Sequence, residues 1–372
     1  TGALRAGDPI SFGTQESRGG VTVVFAGGGT GGHLYPAIAI ADALRDRGAR
    51  ISFIGTADRL EATIVPKAGY ELQTIASRSL PRSISIDLLR TLAANFKGTL
   101  QSLRLLAAQR PDLVIATGGY VAFPVALAAR LRRFVRLSDV RLVLLEPNAE
   151  AGLTNRLLAP MVDEVWGLDS TGIPIRSTLR TLPPRDAAIA RLGLDPSLRT
   201  LVAMGGSQGA RSINSALVSL IERNALPPGW QLFALTGTQE YDRVRSLIPH
   251  ARPYLDDMAD AYAVADLLLA RAGASTLGEL AALGKPSILV PYPHAAQAHQ
   301  AANAARFEAA GAAVVLTDGE LAAGDLPALL ERTVLPERLQ ELARAAARLA
   351  GDDPVRAILA RIDLLVSRRD HA

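Results

Sequence analysis

From Val21 onward, short unbroken apolar runs alternate with stretches whose apolar residues recur at helical spacing. The first kind suits strands buried on both faces, and the second suits amphipathic helices laid against them. In the first half the runs fall at 21–26, 50–54, 71–75, 113–116 and 142–145. Helical patterns lie near 34–47, 59–67, 85–108, 122–132 and 152–159. The rhythm restarts in the second half, with runs near 200–204, 231–235, 267–270, 286–290 and 312–316. Gly167, Gly172, Pro174, Pro183 and Pro184 punctuate the joint between Trp166 and Thr200. Helical patterns at 337–349 and 354–368 close the chain. This alternation predicts parallel sheets covered on both faces. The expected fold class is α/β, with two doubly wound, Rossmann-like domains facing across a cleft and ligands at the C-terminal ends of the strands. The expected division is a tail over 1–20, a first domain over 21–166 and a second over 167–353, with a last helix over 354–372 returned to the first domain.

The first strand runs into Gly27-Gly28-Gly29-Thr30-Gly31-Gly32-His33, and a helix follows. Glycines in such a turn let the backbone approach a ligand, and the helix N-terminus adds partial positive charge. That makes an anion site suited to a diphosphate, with His33 at its lip. Gly27, Gly29 and Gly32 also satisfy the dinucleotide fingerprint. That reading requires an acidic residue closing the second strand, but Arg50–Ile54 ends in Gly55-Thr56-Ala57, and Asp58 comes three residues late. NAD binding is therefore not expected. Thr117-Gly118-Gly119-Tyr120 is a second glycine turn at a strand end of the same half.

Composition narrows the choice. At 372 residues the chain is long enough for two cores, and it has no cysteine, so neither a disulfide framework nor a thiolate metal site is available. The five histidines are scattered, and His294 and His299 match helical metal-ligand spacing poorly. No metal is expected. The net charge of +4 rests mostly on arginine. Aromatics are sparse and no nucleic-acid motif appears, so nucleic acid is not an expected partner. No apolar run reaches the ~18–20 residues of a spanning helix, and residues 1–20 lack the apolar core of a signal peptide. Leu80, Ile84, Ile86, Leu88 and Leu89 lie among Arg78, Arg82 and Arg90, and 130–136 repeats the mixture. Such patches suit an anionic lipid surface. They equally suit a helix covering the core with arginine on its wet face.

Other strand ends carry candidate chemistry. Ala272–Glu279 opens a helix with small residues, and Glu279 falls about one turn in. A carboxylate there can accept both hydroxyls of a ribose, or it can simply complement the helix dipole. Gln300 and Asn303 share a helix face after Pro291-Tyr292-Pro293-His294. Their amides suit sugar hydroxyls, or they form a plain solvated face. Asn148 could bond a sugar and Glu146 could act as a base, or Leu145-Glu146-Pro147-Asn148 is turn chemistry.

In their order and spacing, several stretches resemble the MurG family of bacterial peptidoglycan N-acetylglucosaminyltransferases. These are Gly28–His33, Gly118–Tyr120, Ala151-Gly152-Leu153-Thr154-Asn155, Gly205-Gly206-Ser207-Gln208-Gly209-Ala210, Asp256-Asp257-Met258 and Gly273–Glu279. The resemblance runs from Val21 to Leu349. It implies a GT-B fold and an inverting transfer of GlcNAc from UDP-GlcNAc to the MurNAc 4-hydroxyl of lipid I, giving lipid II. No metal or cofactor is implied. By the same resemblance Thr30, Gly31, Gly32, Asn148, Arg176, Ser207, Leu255, Ala274, Ser275, Thr276, Leu277, Gly278, Glu279 and Gln300 would line the donor site. Glu279 would hold the ribose and Gln300 the GlcNAc. Gly28, Gly29, Gly118, Gly119 and Tyr120 would face the lipid diphosphate. His33 is the first choice for the base and Glu146 the second. The implied place is the cytoplasmic face of the cell membrane, on its anionic inner leaflet. The family's usual His-Glu-Gln-Asn is Leu145-Glu146-Pro147-Asn148 here, and its Gly-Asn-Pro-Val-Arg is Gly172-Ile173-Pro174-Ile175-Arg176. Gln297 and Ala298 stand where acidic residues often precede Gln300. Competing readings are a related transferase with another lipid or polyketide acceptor, a UDP-GlcNAc epimerase, and a sugar-nucleotide-binding subunit without activity.

Overall fold

Apolar runs such as Val23-Val24-Phe25-Ala26 are fully buried on both faces, as a parallel sheet between helix layers requires. The computed structural model describes residues 20–81, 86–168, 170–206, 209–255, 257–293, 299–351 and 353–367. Residues 1–19 of the expected tail, Arg82, Ile84, Ser207, Gln208, Asp256, His294, Gln297, Ala298 and 368–372 lie outside the described residues.

The first sheet contains β1 (Thr22–Gly27), β2 (Arg50–Gly55), β3 (Glu71–Thr74), β4 (Leu113–Gly118), β5 (Arg141–Glu146) and β6 (Glu164–Gly167). Its spatial order is β3-β2-β1-β4-β5-β6, all parallel. Around it lie α1 (Gly31–Asp46), α2 (Glu61–Lys67), α3 (Ile86–Gln109), α4 (Ala122–Phe134) and α5 (Leu153–Leu158). The second sheet contains β7 (Arg199–Met204), β8 (Trp230–Leu235), β9 (Ala251–Arg252), β10 (Ala265–Ala270), β11 (Ser287–Leu289) and β12 (Val314–Val315). Its order, β12-β11-β10-β7-β8-β9, is the same doubly wound plan. Its helices are α6 (Arg185–Leu192), α7 (Arg211–Glu222), α8 (Thr238–Val244), α9 (Ala259–Val264), α10 (Ala274–Ala282), α11 (His299–Ala309), α12 (Asp318–Ala323), α13 (Leu326–Thr333) and α14 (Pro336–Ala350). The chain then crosses back. In α15 (Pro354–Ser367), Val355, Ile358, Leu359, Ile362 and Leu365 pack with Val23, Phe25 and Trp166 of the first sheet.

Two short edge strands are absent from the sequence reading. β6 begins with a charged residue and carries only two apolar ones, and β9 spans two residues, so neither shows a run. The run at 312–316 narrows to Val314–Val315 for the same reason of edge position.

In each sheet the strand order reverses beside the first strand, between β1 and β4 and between β7 and β10. Adjacent connections leave to opposite faces there and open a crevice at the strand ends. The two crevices face each other. Ser275 Oγ, in the first turn of α10, donates to the Gly31 carbonyl at the start of α1 at 3.4 Å. Asn303 of α11 reaches the Asn148–Ala149 turn after β5.

Candidate active site

On the first-domain side the crevice is shaped by missing side chains. A Cβ on Gly27 would collide with Thr117 Oγ1, and one on Gly119 would lie 2.7 Å from the Gly28 carbonyl oxygen. A Cβ on Gly118 would lie 2.7 Å from His33 Cε1 and 3.1 Å from Asn155 Nδ2. Gly118 and Gly119 also have φ of 98° and 76°, in the region that glycine alone adopts freely. The two glycine turns therefore stack on one another, and His33 lies against the second. Thr30 precedes α1 in an extended conformation with no side-chain cap. The first amides of the helix thus have no carbonyl partner within it.

Glu146 is 8% exposed at the end of β5. Its Oε1 accepts from the Asn148 backbone N–H at 2.9 Å and from Asn148 Nδ2 at 3.0 Å. Its Oε2 accepts from the Gly152 N–H at 3.2 Å and from Asn155 Nδ2 at 2.7 Å. Both oxygens are thus committed to ordering the turn after β5. The expectation of Glu146 as a free base gives way to a role as an anchor and as a negative charge beside His33. Burial holds the His33 imidazole below its ordinary pKa, opposed by the Glu146 carboxylate and the Thr117 backbone, and assisted by His299. The ring is therefore neutral at neutral pH. His33 Nδ1, Asn155 Oδ1 and His299 Nδ1 are buried polar atoms without a hydrogen-bond partner among the described residues. Such atoms are where a substrate group completes the bonding.

On the second-domain side the crevice is built from side chains. Glu279 is 5% exposed. It accepts from Arg176 at 3.0 Å and from the Tyr262 hydroxyl at 2.5 Å. Arg176 also lies over the Tyr35 ring of α1, 4.6 Å from its centroid, so it spans the two domains. Gln300 Oε1 accepts from the Tyr292 N–H at 2.9 Å, which fixes the amide at the start of α11. Asn303 is spent differently from the sequence expectation. It is 1% exposed, accepts from Ala149 N–H at 2.8 Å, and donates to Asn148 Oδ1 at 3.2 Å and Ala272 O at 3.1 Å. It pins the domains together and is not free for a sugar. Asn148 is equally engaged, between Glu146 and Asn303. Among the described residues no His, Asp and Glu side chains are grouped as a metal site.

Residues 23–166 match the glycosyltransferase family 28 N-terminal domain, and residues 200–362 match the family's C-terminal domain. The chain belongs to glycosyltransferase family 28. Within it, a Halothermothrix orenii protein named UDP-N-acetylglucosamine--N-acetylmuramyl-(pentapeptide) pyrophosphoryl-undecaprenol N-acetylglucosamine transferase is 39% identical over 356 residues, covering 88% of this chain and 94% of that protein. A Chlorobaculum tepidum protein of the same name is 41% identical over 352 residues, with the same two coverages of 88% and 94%. The crystal structure of Acinetobacter baumannii MurG superposes with a TM-score of 0.73 at 27% identity, covering 92% of this chain and 99% of that one. The calicheamicin glycosyltransferase CalG4, at 18% identity and a TM-score of 0.65, shares the fold. The expected GT-B architecture and the expected glycosyltransferase class both hold for this family 28 chain.

Most of the expected site residues converge on the cleft. Gly28, Gly29, Thr30, Gly31, Gly32 and His33 lie at its first-domain lip with Gly118, Gly119 and Tyr120, whose carbonyl accepts from Ser77 Oγ at 3.1 Å. Ala274, Ser275, Thr276, Leu277, Gly278 and Glu279 form α10 opposite. Leu277 and Gly278 are buried. A Cβ on Gly278 would lie 3.0 Å from Ile173, so the apolar residue at the family's usual Asn position packs the hinge. Leu255 packs against the second-domain core. Tyr262, Asn155 and Glu61 went unread as site residues. Their positions depend on contacts between distant segments, although Asn155 does sit in a stretch that carries the family resemblance.

Proposed function

We propose that this family 28 glycosyltransferase moves GlcNAc from UDP-GlcNAc to the MurNAc 4-hydroxyl of lipid I, the activity in the names of its relatives. The observation that carries this reading is the facing of α1 and α10 across the cleft. Two positive helix ends meet there, as a donor diphosphate and a lipid diphosphate would need. The acceptor oxygen attacks the anomeric carbon while the bond from that carbon to the UDP oxygen breaks. UDP leaves with the electron pair, and inversion turns an α-linked donor into a β1–4 product. His33, held neutral by burial, takes the hydroxyl proton. Helix N-termini and Arg176 meet the charge developing on the diphosphate, and no metal is assigned a role. Glu279 takes the ribose hydroxyls and Gln300 the GlcNAc.

The proposal extends to a membrane surface. Ile86, Leu89, Leu92, Phe96 and Leu100 form an exposed stripe on α3, and Phe134 and Leu137 are exposed at the end of α4. Asn95 of α3 bonds Ser77 and Arg78, and Ser77 in turn bonds Tyr120, so the stripe is tied to the acceptor turn. Arg78, Arg90 and Arg132 supply cations for an anionic inner leaflet. Among the described residues no helix is long and apolar enough to cross a membrane. This reading puts the enzyme on the cytoplasmic face as a peripheral protein.

The test is UDP release from UDP-GlcNAc with and without a short-chain lipid I analogue. Release that depends on the analogue, with a disaccharide product, supports the assignment. Release without the analogue, or UDP binding with no release in either case, contradicts it.

A further inference from the structure

Beneath the first glycine turn lies a carboxylate that the proposed chemistry does not use. Glu61, the first residue of α2, is completely buried. Its Oε2 accepts from the Gly29 N–H at 2.9 Å. Its Oε1 accepts from the Thr56 N–H at 3.0 Å and from Thr56 Oγ1 at 2.6 Å. Room for it has been made on two sides. A Cβ on Gly28 would collide with the carboxyl group, and one on Gly55 would lie 2.7 Å from Glu61 Cγ. A buried carboxylate is costly unless bonded, and here three donors from two separate loops bond it.

Gly27, Gly29 and Gly32 stand at the spacing of the dinucleotide fingerprint. In that fingerprint the second glycine lets the backbone approach a pyrophosphate. In this chain the second glycine is Gly29, and its N–H is already taken. We infer that Glu61 is a built-in anion that fills the inner amide cradle of this turn. It thereby excludes a dinucleotide and fixes the first glycine turn against the second, the pair proposed to face the acceptor diphosphate. Glu61 is a positioning residue, acting through Gly29 and Thr56. The part concerning the acceptor rests on the proposed function, and the part concerning the cradle does not.

The experiment uses the full chain, with UDP at saturation to occupy the donor site and chloride as the ionic-strength control. Thermal unfolding of wild type and Glu61→Ala is measured with added formate, which matches the lost carboxylate. Formate raises the midpoint of Glu61→Ala by about 2–4 °C and leaves wild type unmoved. An unmoved variant, or equal shifts in both proteins, overturns the cradle assignment. Initial rates of the isosteric Glu61→Gln, varied in each substrate separately, form the second arm. The acceptor KM rises about ten-fold while the donor KM stays within about two-fold, and formate restores the acceptor KM of Glu61→Ala. Equal rises in both KM values would mean a general structural role and overturn the positioning assignment. If wild type shows no acceptor-dependent transfer, the proposed function fails, while the formate arm still decides the cradle.

Discussion

The two domains share one strand order but build their crevices by opposite means. At the first switch point Gly27 and Gly119 pack against the Gly118 and Gly28 carbonyls, and a Cβ added at Gly27, Gly28 or Gly118 would also meet the side chains of Thr117, Glu61 or His33. At the second, Arg176, Glu279 and Tyr262 close the space with a charged, hydrogen-bonded cluster. A surface of backbone amides recognises charge and shape with little regard to the rest of the ligand. A surface of placed side chains recognises a particular pattern of hydroxyls and rings. The first suits a diphosphate on a variable lipid, and the second suits a nucleotide sugar. The fold supplies the place, and the contents of each crevice supply the specificity.

The largest effect is expected at the join between the two. His33→Ala lowers kcat by about 10²–10⁴-fold, read from acceptor-dependent UDP release. A variant with turnover near wild type removes His33 as base. The wild-type rate rises with pH through a value below the ordinary ~6.5 of histidine and is level at neutral pH. A profile still climbing above neutrality contradicts a base held neutral by burial. The same depressed value makes the unfolded chain take up the proton first as pH falls through about 6.5, so folding stability declines there as well.

Next comes the side-chain crevice. Glu279→Gln removes the charge that Arg176 and Tyr262 share, and donor kcat/KM falls about 10–100-fold, from about 1.5–3 kcal/mol of charge-assisted bonding. The acceptor KM is unchanged. A larger acceptor effect than donor effect would reverse the division between the domains.

How legible each crevice was follows from what builds it. The glycine turns announce themselves, since a run of glycines between an apolar strand and a helical pattern has few other uses. The strands themselves followed from the apolar runs, apart from the short edges β6 and β9. The partners of the turns were not legible. Glu61 carries no mark in the sequence, and only the fold brings it under Gly29. Asn303 reads as a solvated or sugar-binding amide, yet it is buried at the domain contact. Glu146 reads as a base or as turn chemistry, and its four donors place it in the turn. Local pattern marks where a ligand goes, and long-range contacts decide which polar groups remain free to meet it.

Smaller effects sharpen the comparison at its edges. Asn303→Leu leaves Ala149 N–H and Asn148 Oδ1 unpaired at the domain contact and destabilises the protein by about 1–3 kcal/mol, read by thermal unfolding. An unchanged midpoint would show that the contact does not hold the domains. The smallest effect on chemistry is expected on the α3 stripe. The double change Ile86→Ser and Phe96→Ser weakens binding to vesicles of anionic lipid, each side chain contributing up to about 1.5–3 kcal/mol. Turnover of a short-chain, water-soluble acceptor stays near wild type. Equal vesicle binding by variant and wild type would remove the stripe as the membrane face.

The most direct measurement is a paired determination of both KM values in Gly119→Ala and Gln300→Ala. Gly119 has no room for a Cβ against the Gly28 carbonyl, and Gln300 is fixed by the Tyr292 N–H. The account predicts that Gly119→Ala raises the acceptor KM alone and Gln300→Ala the donor KM alone. If either change raises both values together, or the two effects are exchanged, the division of labour between a backbone crevice and a side-chain crevice is wrong.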